Sequence, residues 1–255
     1  MSSDLQECQL QAMRLSAAER ASLAEYLLAS LPDRNHLADV RLLVKEAERQ
    51  YQPYKQEMSF PGHTPPGQEL SLAGYYALED TSEIKHEYFR GVAYAMAGAS
   101  ARHNLIVANL ISSLHAQLRG KHCTVYPGDL RLQVVATGIY TFPDVMVICG
   151  DLQYADARED TVTNPSVIFE VISPSTEHYD RGKKFEHFRT VSTLQEYLLI
   201  AQDRLHIEQY IRQEADQWLF VEYSLDQALI PLKEIGCILS VAAVYEKVCL
   251  DEGQS

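Results

Sequence analysis

Apolar residues recur at helical spacing in the first part of the chain. The sequence Ser-Ala-Ala-Glu at residues 16–19 is a capping box, a pattern that begins a helix. The apolar stripe that follows comprises Leu23, Leu27, Leu28 and Leu31. Proline and glycine are frequent in residues 51–69, which is typical of an irregular linker. The pattern predicts a helical arm at residues 1–50, a linker at 51–69 and a second domain at 70–251.

The second domain combines helical and extended patterns. Residues 87–96 predict a hairpin that turns at Arg90 and Gly91, and an apolar stripe at residues 103–118 predicts a helix. A charged helix is predicted at residues 180–191. Apolar runs predict strands at residues 123–126, 130–135, 142–148, 167–172, 197–201, 205–212 and 218–223. This order predicts an α/β fold with a mixed β-sheet core flanked by helices.

Two of these apolar runs each carry an acid, Asp144 in one and Glu170 in the other. An isolated ionised carboxylate is costly to bury, so it must be paired, protonated or bound to a metal. The turn-rich connection at residues 150–165 suits two neighbouring strands, which would bring the acids together. An alternative stays open, in which backbone amides or a structural arginine such as Arg131 or Arg181 satisfy them.

The basic helix that follows the second run offers a cationic partner. Mg²⁺ or Mn²⁺ binds through carboxylates, water and phosphate oxygens, and can polarise a phosphodiester and generate hydroxide. A nearby lysine can stabilise developing negative charge. We therefore expect Asp144 and Glu170 to be metal ligands and Lys184 to be their electrostatic partner. Lys183 is its rival, because residues 180, 183, 184 and 187 share one face of a helix.

Glu87 and His103 are the remaining catalytic candidates. Glu87 begins the predicted hairpin and could place a third carboxylate near the metal. His103 stands at the start of a predicted helix, where it could contact a phosphate. Either residue could instead have a purely structural role.

Several short motifs in the second domain carry a family resemblance. They are HEYFRG at residues 86–91, MAGAS at 96–100, FPDV at 142–145, FEVISPST at 169–176, YDRGKKF at 179–185 and LQEY at 194–197, together with His103. In this combination the domain resembles the Uma2 family, formerly DUF820, which belongs with the PD-(D/E)xK endonuclease-like folds. The resemblance implies a restriction-endonuclease-like core of about four or five strands flanked by helices.

The resemblance also implies roles for individual residues. Asp144 corresponds to the Asp of the motif and Glu170 to its Glu. The lysine usually found two positions after the Glu is replaced here by Ile172. In this family the lysine role moves to the following helix, which points to Lys184. Without that migration the site would bind metal without cutting.

The helical arm is similar to a second family. Residues 15–31 resemble the first half of the motif of the small bacterial "putative addiction module component" family. The tryptophan-containing continuation of that motif is missing around residues 36–50. The resemblance implies an antitoxin-like arm, and the alternative is a helical arm for packing or oligomerisation.

Composition indicates the cellular location and the binding partners to be expected. No apolar stretch approaches the ~20 residues of a membrane span, and residues 1–7 lack the pattern of a secretory signal. The five cysteines form no CxxC pair, so reduced thiols and a cytoplasmic location are expected. A net charge of −13 argues against a surface for non-specific nucleic-acid binding, although a local basic cleft matters more for a nuclease.

Three functional hypotheses follow. The first is a Mg²⁺- or Mn²⁺-dependent endonuclease that acts on DNA or, as second choice, RNA, and that forms a homo-oligomer, most simply a dimer. The second is a catalytically silent nuclease-fold module, toxin–antitoxin-like, whose residues 1–50 recruit a protein partner. The third is a nuclease held in check by its own N-terminal arm. No nucleotide-binding glycine loop or nucleophile elbow is present in the sequence.

Overall fold

The computed structural model describes residues 69–250, except Ala97, Ala157, Ser175 and residues 214–216. The predicted helical arm lies outside the described residues, as does the predicted linker apart from Glu69. The arm and its proposed partner therefore stay predictions.

The described part of the chain contains one long helix, several short helical segments and thirteen strands. The helical segments are α1 (Leu72–Glu79), α2 (Ala101–Leu118), α3 (Glu177–Tyr179), a π-helical turn (Asp180–Lys184), α4 (Phe185–Phe188) and α5 (Val241–Val244). The strands are β1 (His86–Phe89), β2 (Val92–Ala95), β3 (Cys123–Pro127), β4 (Arg131–Val134), β5 (Ile139–Thr141), β6 (Val145–Cys149), β7 (Thr161–Val162), β8 (Val167–Ile172), β9 (Glu196–Ala201), β10 (Ile207–Arg212), β11 (Trp218–Tyr223), β12 (Leu229–Leu232) and β13 (Cys237–Ser240).

The strands form two larger sheets and a hairpin. The six-stranded sheet has the order β11-β10-β9-β8-β6-β3, in which β8 and β9 are parallel and the other pairs antiparallel. The five-stranded sheet has the order β2-β1-β5-β4-β7, and β12 pairs with β13. The prediction of a mixed sheet flanked by helices is confirmed, but the structure has two sheets in place of a single core of four or five strands.

The β1–β2 hairpin turns where the sequence predicts. Arg90 and Gly91 both have positive φ angles, 48° and 83°. Positive φ at both central residues is the mark of a type I′ turn, whose twist matches that of the flanking strands. Phe89 pairs with Val92 directly across this turn, and Glu87 pairs with Tyr94. The hairpin therefore fixes Glu87 at the middle of a short, buried strand.

Helix α2 covers one face of the six-stranded sheet. The Ser100 hydroxyl caps it by accepting a hydrogen bond from the backbone N–H of His103 at 3.1 Å. The fully buried stripe of the helix comprises Ile106, Leu110 and Leu114, with Leu118 at its end. These residues share a core with alternate residues of β6 and β8, namely Val145, Val147, Val167, Phe169 and Val171.

The other face of the same strands is buried as well. Because successive side chains of a strand point to opposite faces, Ile168, Glu170 and Ile172 lie on the side away from α2. All six residues of β8 are buried, which explains why the sequence shows a continuous apolar run there. The side chain of Glu170 lies on this second face and is buried there.

Several local predictions need correction. Asp144 was expected inside a strand, but it lies in the bend between β5 and β6, directly before Val145. Strands β5 and β7 are only three and two residues long, too short to give a pattern. The last strand predicted within residues 70–251 corresponds to β11, yet the β12–β13 hairpin and α5 follow it.

The cysteines also differ from expectation. Cys123 and Cys149 face each other across β3 and β6 and form a disulfide. The prediction of reduced thiols is therefore wrong for this pair. Among the described residues, Cys237 is a buried free cysteine and Cys249 an exposed one. None of the helices in the described part of the chain combines the length and apolar character needed to cross a membrane.

Candidate active site

A π-helical turn decides which lysine enters the interior. Residues Asp180–Lys184 form a widened turn between α3 and α4, and both Asp180 and Lys184 are buried in it. Lys183 is exposed and forms an ion pair with Glu186 at 3.0 Å. Such turns occur frequently at functional sites, because they re-aim side chains within a helix. Lys184 is therefore the lysine that reaches the predicted acids.

Three buried carboxylates surround the Lys184 ammonium. Its Nζ lies 2.8 Å from Glu170 Oε1, 3.5 Å from Asp180 Oδ1 and 3.6 Å from Glu87 Oε1. All four residues are less than one-tenth exposed. The cluster thus unites strand β8, the hairpin strand β1 and the helical turn.

The charges of this cluster do not balance. Burial disfavours the charged form of Lys184, but the carboxylates outweigh it and hold its pKa well above the ordinary value. Burial raises the pKa of Glu170 well above its ordinary range, although Lys184 opposes the shift. Burial likewise raises the pKa of Asp180 against the opposing effect of the lysine. One ammonium cannot neutralise three buried carboxylates, so Lys184 stays charged while protonation of Glu170 and Asp180 is favoured.

Glu87 is held by hydrogen bonds from two further elements. The Tyr179 hydroxyl donates to its Oε2 at 2.9 Å. The Thr141 hydroxyl, from β5, donates to its Oε1. Both Glu87 oxygens are therefore occupied, and the residue is placed to shape the electrostatics of the cluster around Lys184.

Asp144 lies beside this cluster in a more open position. Since Val145 pairs with Phe169 across β6 and β8, the bend that holds Asp144 lies next to Glu170. Its Oδ2 accepts a hydrogen bond from the backbone N–H of Val171 at 2.8 Å. About one-fifth of its side chain is exposed, compared with one-twentieth for Glu170.

His103 makes the second contact to the same carboxylate. Its Nε2 lies 3.0 Å from Asp144 Oδ2, and because an ionised carboxylate only accepts, Nε2 is the donor. Burial tends to raise the pKa of Asp144, but the hydrogen bond and charge of His103 and the effect of Lys184 lower it below its ordinary value. Asp144 is therefore an ionised carboxylate whose Oδ2 is fixed by two donors.

The oxygen donors at this position fit a hard divalent cation. Glu170 Oε1 is buried, and its neighbour is the Lys184 ammonium, whose Nζ lies 2.8 Å away. The carboxylate oxygens of Glu170 and of the ionised Asp144 are the donor type that Mg²⁺ and Mn²⁺ prefer. The residues present therefore fit such an ion, with Asp144 and Glu170 as the protein ligands.

The structure places all five predicted site residues in one region and adds another. Glu87, Glu170 and Lys184 share the buried cluster, and His103 and Asp144 form the adjoining pair. The prediction missed Asp180, although its position four residues before Lys184 was a signal for a helical ion pair.

The predicted arginine alternatives pair elsewhere. Arg181 binds Glu208 and Glu177, and Arg131 contacts Glu79 and Asp160. The backbone alternative is realised in part, because the Val171 amide does bond to Asp144. Asp144 and Glu170 therefore face a histidine, a lysine and one backbone amide.

Comparison with known proteins identifies similar chains. Residues 72–242 match the model of the Uma2 family, described as "Putative restriction endonuclease". The uncharacterized protein slr1290 of Synechocystis sp. (strain ATCC 27184 / PCC 6803 / Kazusa) is 37% identical over 187 residues, covering 72% of this chain and 96% of that relative. The uncharacterized protein sll1609 of the same organism is 37% identical over 161 residues, covering 63% of this chain and 91% of its own length.

A solved structure is also similar. It is the crystal structure of "a putative nuclease belonging to DUF820" from Anabaena variabilis ATCC 29413, with a TM-score of 0.57 and 18% sequence identity. The match covers 69% of this chain and 97% of that one. At this identity the likeness shows a common fold.

Proposed function

Because the chain belongs to the Uma2 family, whose members have a nuclease-like fold, we propose that it is a metal-dependent endonuclease. Its substrate is DNA, with RNA as the second choice, and it hydrolyses phosphodiester bonds with Mg²⁺ or Mn²⁺. Asp144 and Glu170 would hold the ion. When bound, the ion would polarise the scissile phosphate and lower the pKa of a bound water.

One observation carries this proposal. An ionised carboxylate, Asp144, adjoins the buried carboxylate of Glu170, and a single lysine faces Glu170 and two further buried acids. A site built only for stability would match its buried acids with cations, since an uncompensated buried carboxylate is costly. The excess of acids around Lys184 adds negative potential that favours a divalent cation over a neutral ligand.

The chain's own groups would divide the remaining work. Lys184 keeps its proton and presents a fixed positive charge beside Glu170, where it stabilises negative charge that develops on the phosphate. His103 holds Asp144 Oδ2 and leaves Oδ1 free to face the ion. Glu87 keeps Lys184 charged and in place. Asp144 and His103 are the more exposed groups of the site, so substrate would approach from their side.

Lys184 also accounts for the missing lysine of the motif. Ile172 follows Glu170 by two positions and lies on the same face of β8, where it is buried. The helical turn carries the Lys184 ammonium to 2.8 Å from Glu170 instead. This geometry supports the migration of the lysine role to the following helix.

A catalytically silent module is the second candidate. The Lys184 side chain is only 6% exposed and lies against three carboxylates, so the cluster resembles a closed structural ion network. In that case the domain would bind a partner, with residues 1–50 as the recruiting arm. Deletion of residues 1–50 would then abolish partner binding or oligomerisation. If the deletion abolishes either of these but cleavage remains, the arm is accessory to a nuclease.

A cleavage assay separates the two candidates. Wild-type protein and the Asp144→Asn variant would be incubated with supercoiled plasmid, single-stranded DNA and RNA, each with Mg²⁺, Mn²⁺ or a chelator. Asp129→Asn is the matched control, since Asp129 is 84% exposed. We expect metal-dependent cutting by the wild type and by Asp129→Asn, and at least a hundredfold loss in Asp144→Asn.

Two other outcomes would decide against catalysis at this site. Equal cutting by Asp144→Asn and the wild type would contradict the assignment of Asp144. Absence of cutting by a folded wild-type protein that still binds Mn²⁺ would favour the silent module.

The affinity of the site for Mg²⁺ or Mn²⁺ should increase with pH, because the ion must displace a proton from Glu170, whose pKa is raised.

A further inference from the structure

A second cluster of metal-ligating side chains lies at the far end of β6. Asp144 precedes the first residue of this strand and Cys149 is its last. At the usual rise of a strand, the two positions are about 17 Å apart. The cluster is therefore separate from the acid site, although the two lie at opposite ends of the same strand.

Three residues that can bind a metal meet at this end. Cys123 and Cys149 are directly opposite on β3 and β6, and His122 precedes Cys123. One ligand atom from each of the three residues lies within 4.8 Å of the others. The backbone N–H of Gly150 donates to the His122 carbonyl at 2.9 Å, which closes the end of the strand pair.

We propose that the reduced protein binds one Zn²⁺ ion through His122, Cys123 and Cys149. Two thiolates and an imidazole form a borderline-soft donor set, which suits Zn²⁺ and does not suit Mg²⁺. The fourth position is left for water. This site is independent of the proposed nuclease activity and of its oxygen ligands.

The separation of the imidazole nitrogen from one sulfur agrees with tetrahedral zinc, whereas the two sulfurs, joined in the disulfide, must move apart after reduction. Zn–S and Zn–N bonds of about 2.3 and 2.0–2.1 Å place a sulfur and a nitrogen ligand roughly 3.6 Å apart in a tetrahedron. His122 Nε2 lies 3.6 Å from Cys123 Sγ. His122 is exposed and Cys149 is half-buried, so an ion can reach the site without opening the core.

The disulfide and the zinc site exclude each other. Sulfur atoms joined in a disulfide lack the thiolate charge that binds zinc. A small thiol reductant opens the bond in two exchanges. Its thiolate attacks Cys149 Sγ, the more accessible sulfur, and Cys123 leaves as a thiolate. A second reductant thiolate then attacks the reductant sulfur of the mixed disulfide, which releases Cys149 as a thiolate and the reductant as its own disulfide.

Metal titration of the full chain tests this site. Metal-free protein, reduced with an excess of thiol that is then removed under argon, would be titrated with Co²⁺ and then with Zn²⁺. We expect one equivalent of Co²⁺ to give a sulfur-to-metal charge-transfer band that Zn²⁺ abolishes. Oxidised wild-type protein should give no such band. Asp144→Asn should give the full band, because an oxygen site has no thiolate signature.

Variants make the assignment specific. Cys149→Ser should lose the band, and His122→Asn should weaken Zn²⁺ binding at least tenfold. Cys237→Ser is the matched control and should bind as the wild type does, since Cys237 is a free cysteine outside the cluster. A band of equal strength in Cys149→Ser or in oxidised protein, or no band in reduced wild type, would overturn the proposal. Should Cys149→Ser not fold, the oxidised protein and His122→Asn still decide.

Discussion

Replacement of Lys184 by methionine is the sharpest test of the buried cluster. Methionine has a similar length but no charge, so Lys184→Met removes the cation and leaves its hydrocarbon stem. Three carboxylates then remain, each less than one-tenth exposed and each without its nearest cation. The acids must become protonated, draw in water or repel one another.

The expected loss of stability is large. Removal of one partner from a buried ion pair destabilises a protein by about 3–5 kcal/mol, because the other charge is left uncompensated. For a domain of this size, each kcal/mol lowers the melting temperature by about 2–4 °C. The variant should therefore melt about 6–20 °C below the wild type at neutral pH.

The loss of stability in Lys184→Met should depend on pH, and the pKa shifts of the acids determine the direction of this dependence. The pKa values of Glu170 and Asp180 are already raised in the folded protein, and loss of Lys184 raises them further. A carboxyl group with a raised pKa stabilises the fold below its unfolded pKa, and this contribution is lost as pH rises through the folded pKa. The difference between variant and wild type should therefore be larger at pH 8 than at pH 5.

Thermal melts and denaturant unfolding at both pH values provide the assay. Lys183→Met is the matched control, because Lys183 lies one residue away but is exposed and pairs with Glu186 at the surface; it should cost less than about 1 kcal/mol. Adding Glu170→Gln to Lys184→Met should recover stability, since it removes one uncompensated charge. Equal melting temperatures for the two methionine variants, or no recovery in the double variant, would refute the reasoning.

Three further predictions concern the surroundings of the two sites. His103→Ala should weaken Mn²⁺ binding about 10- to 100-fold in calorimetry, because Asp144 loses the donor that orients it; unchanged affinity would contradict this role. Gly128→Ala should cost about 1–3 kcal/mol in denaturant unfolding, because a Cβ there would lie 3.3 Å from the Asp144 carbonyl oxygen; Gly98→Ala, with no neighbour within 4 Å, is the control. In metal-free protein, reduction of the disulfide should lower stability by about 3–4 kcal/mol, given its separation of 26 residues, whereas Cys149→Ser should melt equally with and without reductant.

Local patterns in the sequence predicted much of the framework. The β1–β2 hairpin followed from Arg90 and Gly91 between apolar alternations, and α2 from its apolar stripe. The pairing of the two acid-bearing runs followed from the turn-rich segment that connects them. These features depend on residues close in sequence, since turn chemistry and hydrophobic periodicity act over a few positions.

Tertiary structure decided the rest of the site. Whether Lys183 or Lys184 faces inward depends on one widened turn, whose hydrogen bonding leaves no mark in the hydrophobic pattern. Asp180 joined the cluster for the same reason.

Long-range packing decided the remaining contacts. The hydrogen bond from the Tyr179 hydroxyl to Glu87 joins residues that are 92 positions apart in the sequence. The disulfide between Cys123 and Cys149 depends on the register of β3 against β6. Contacts of this kind are set by how strands and helices pack. The sequence alone therefore determined the longer elements and the chemical types at the site, and only the packed structure determined which of them meet.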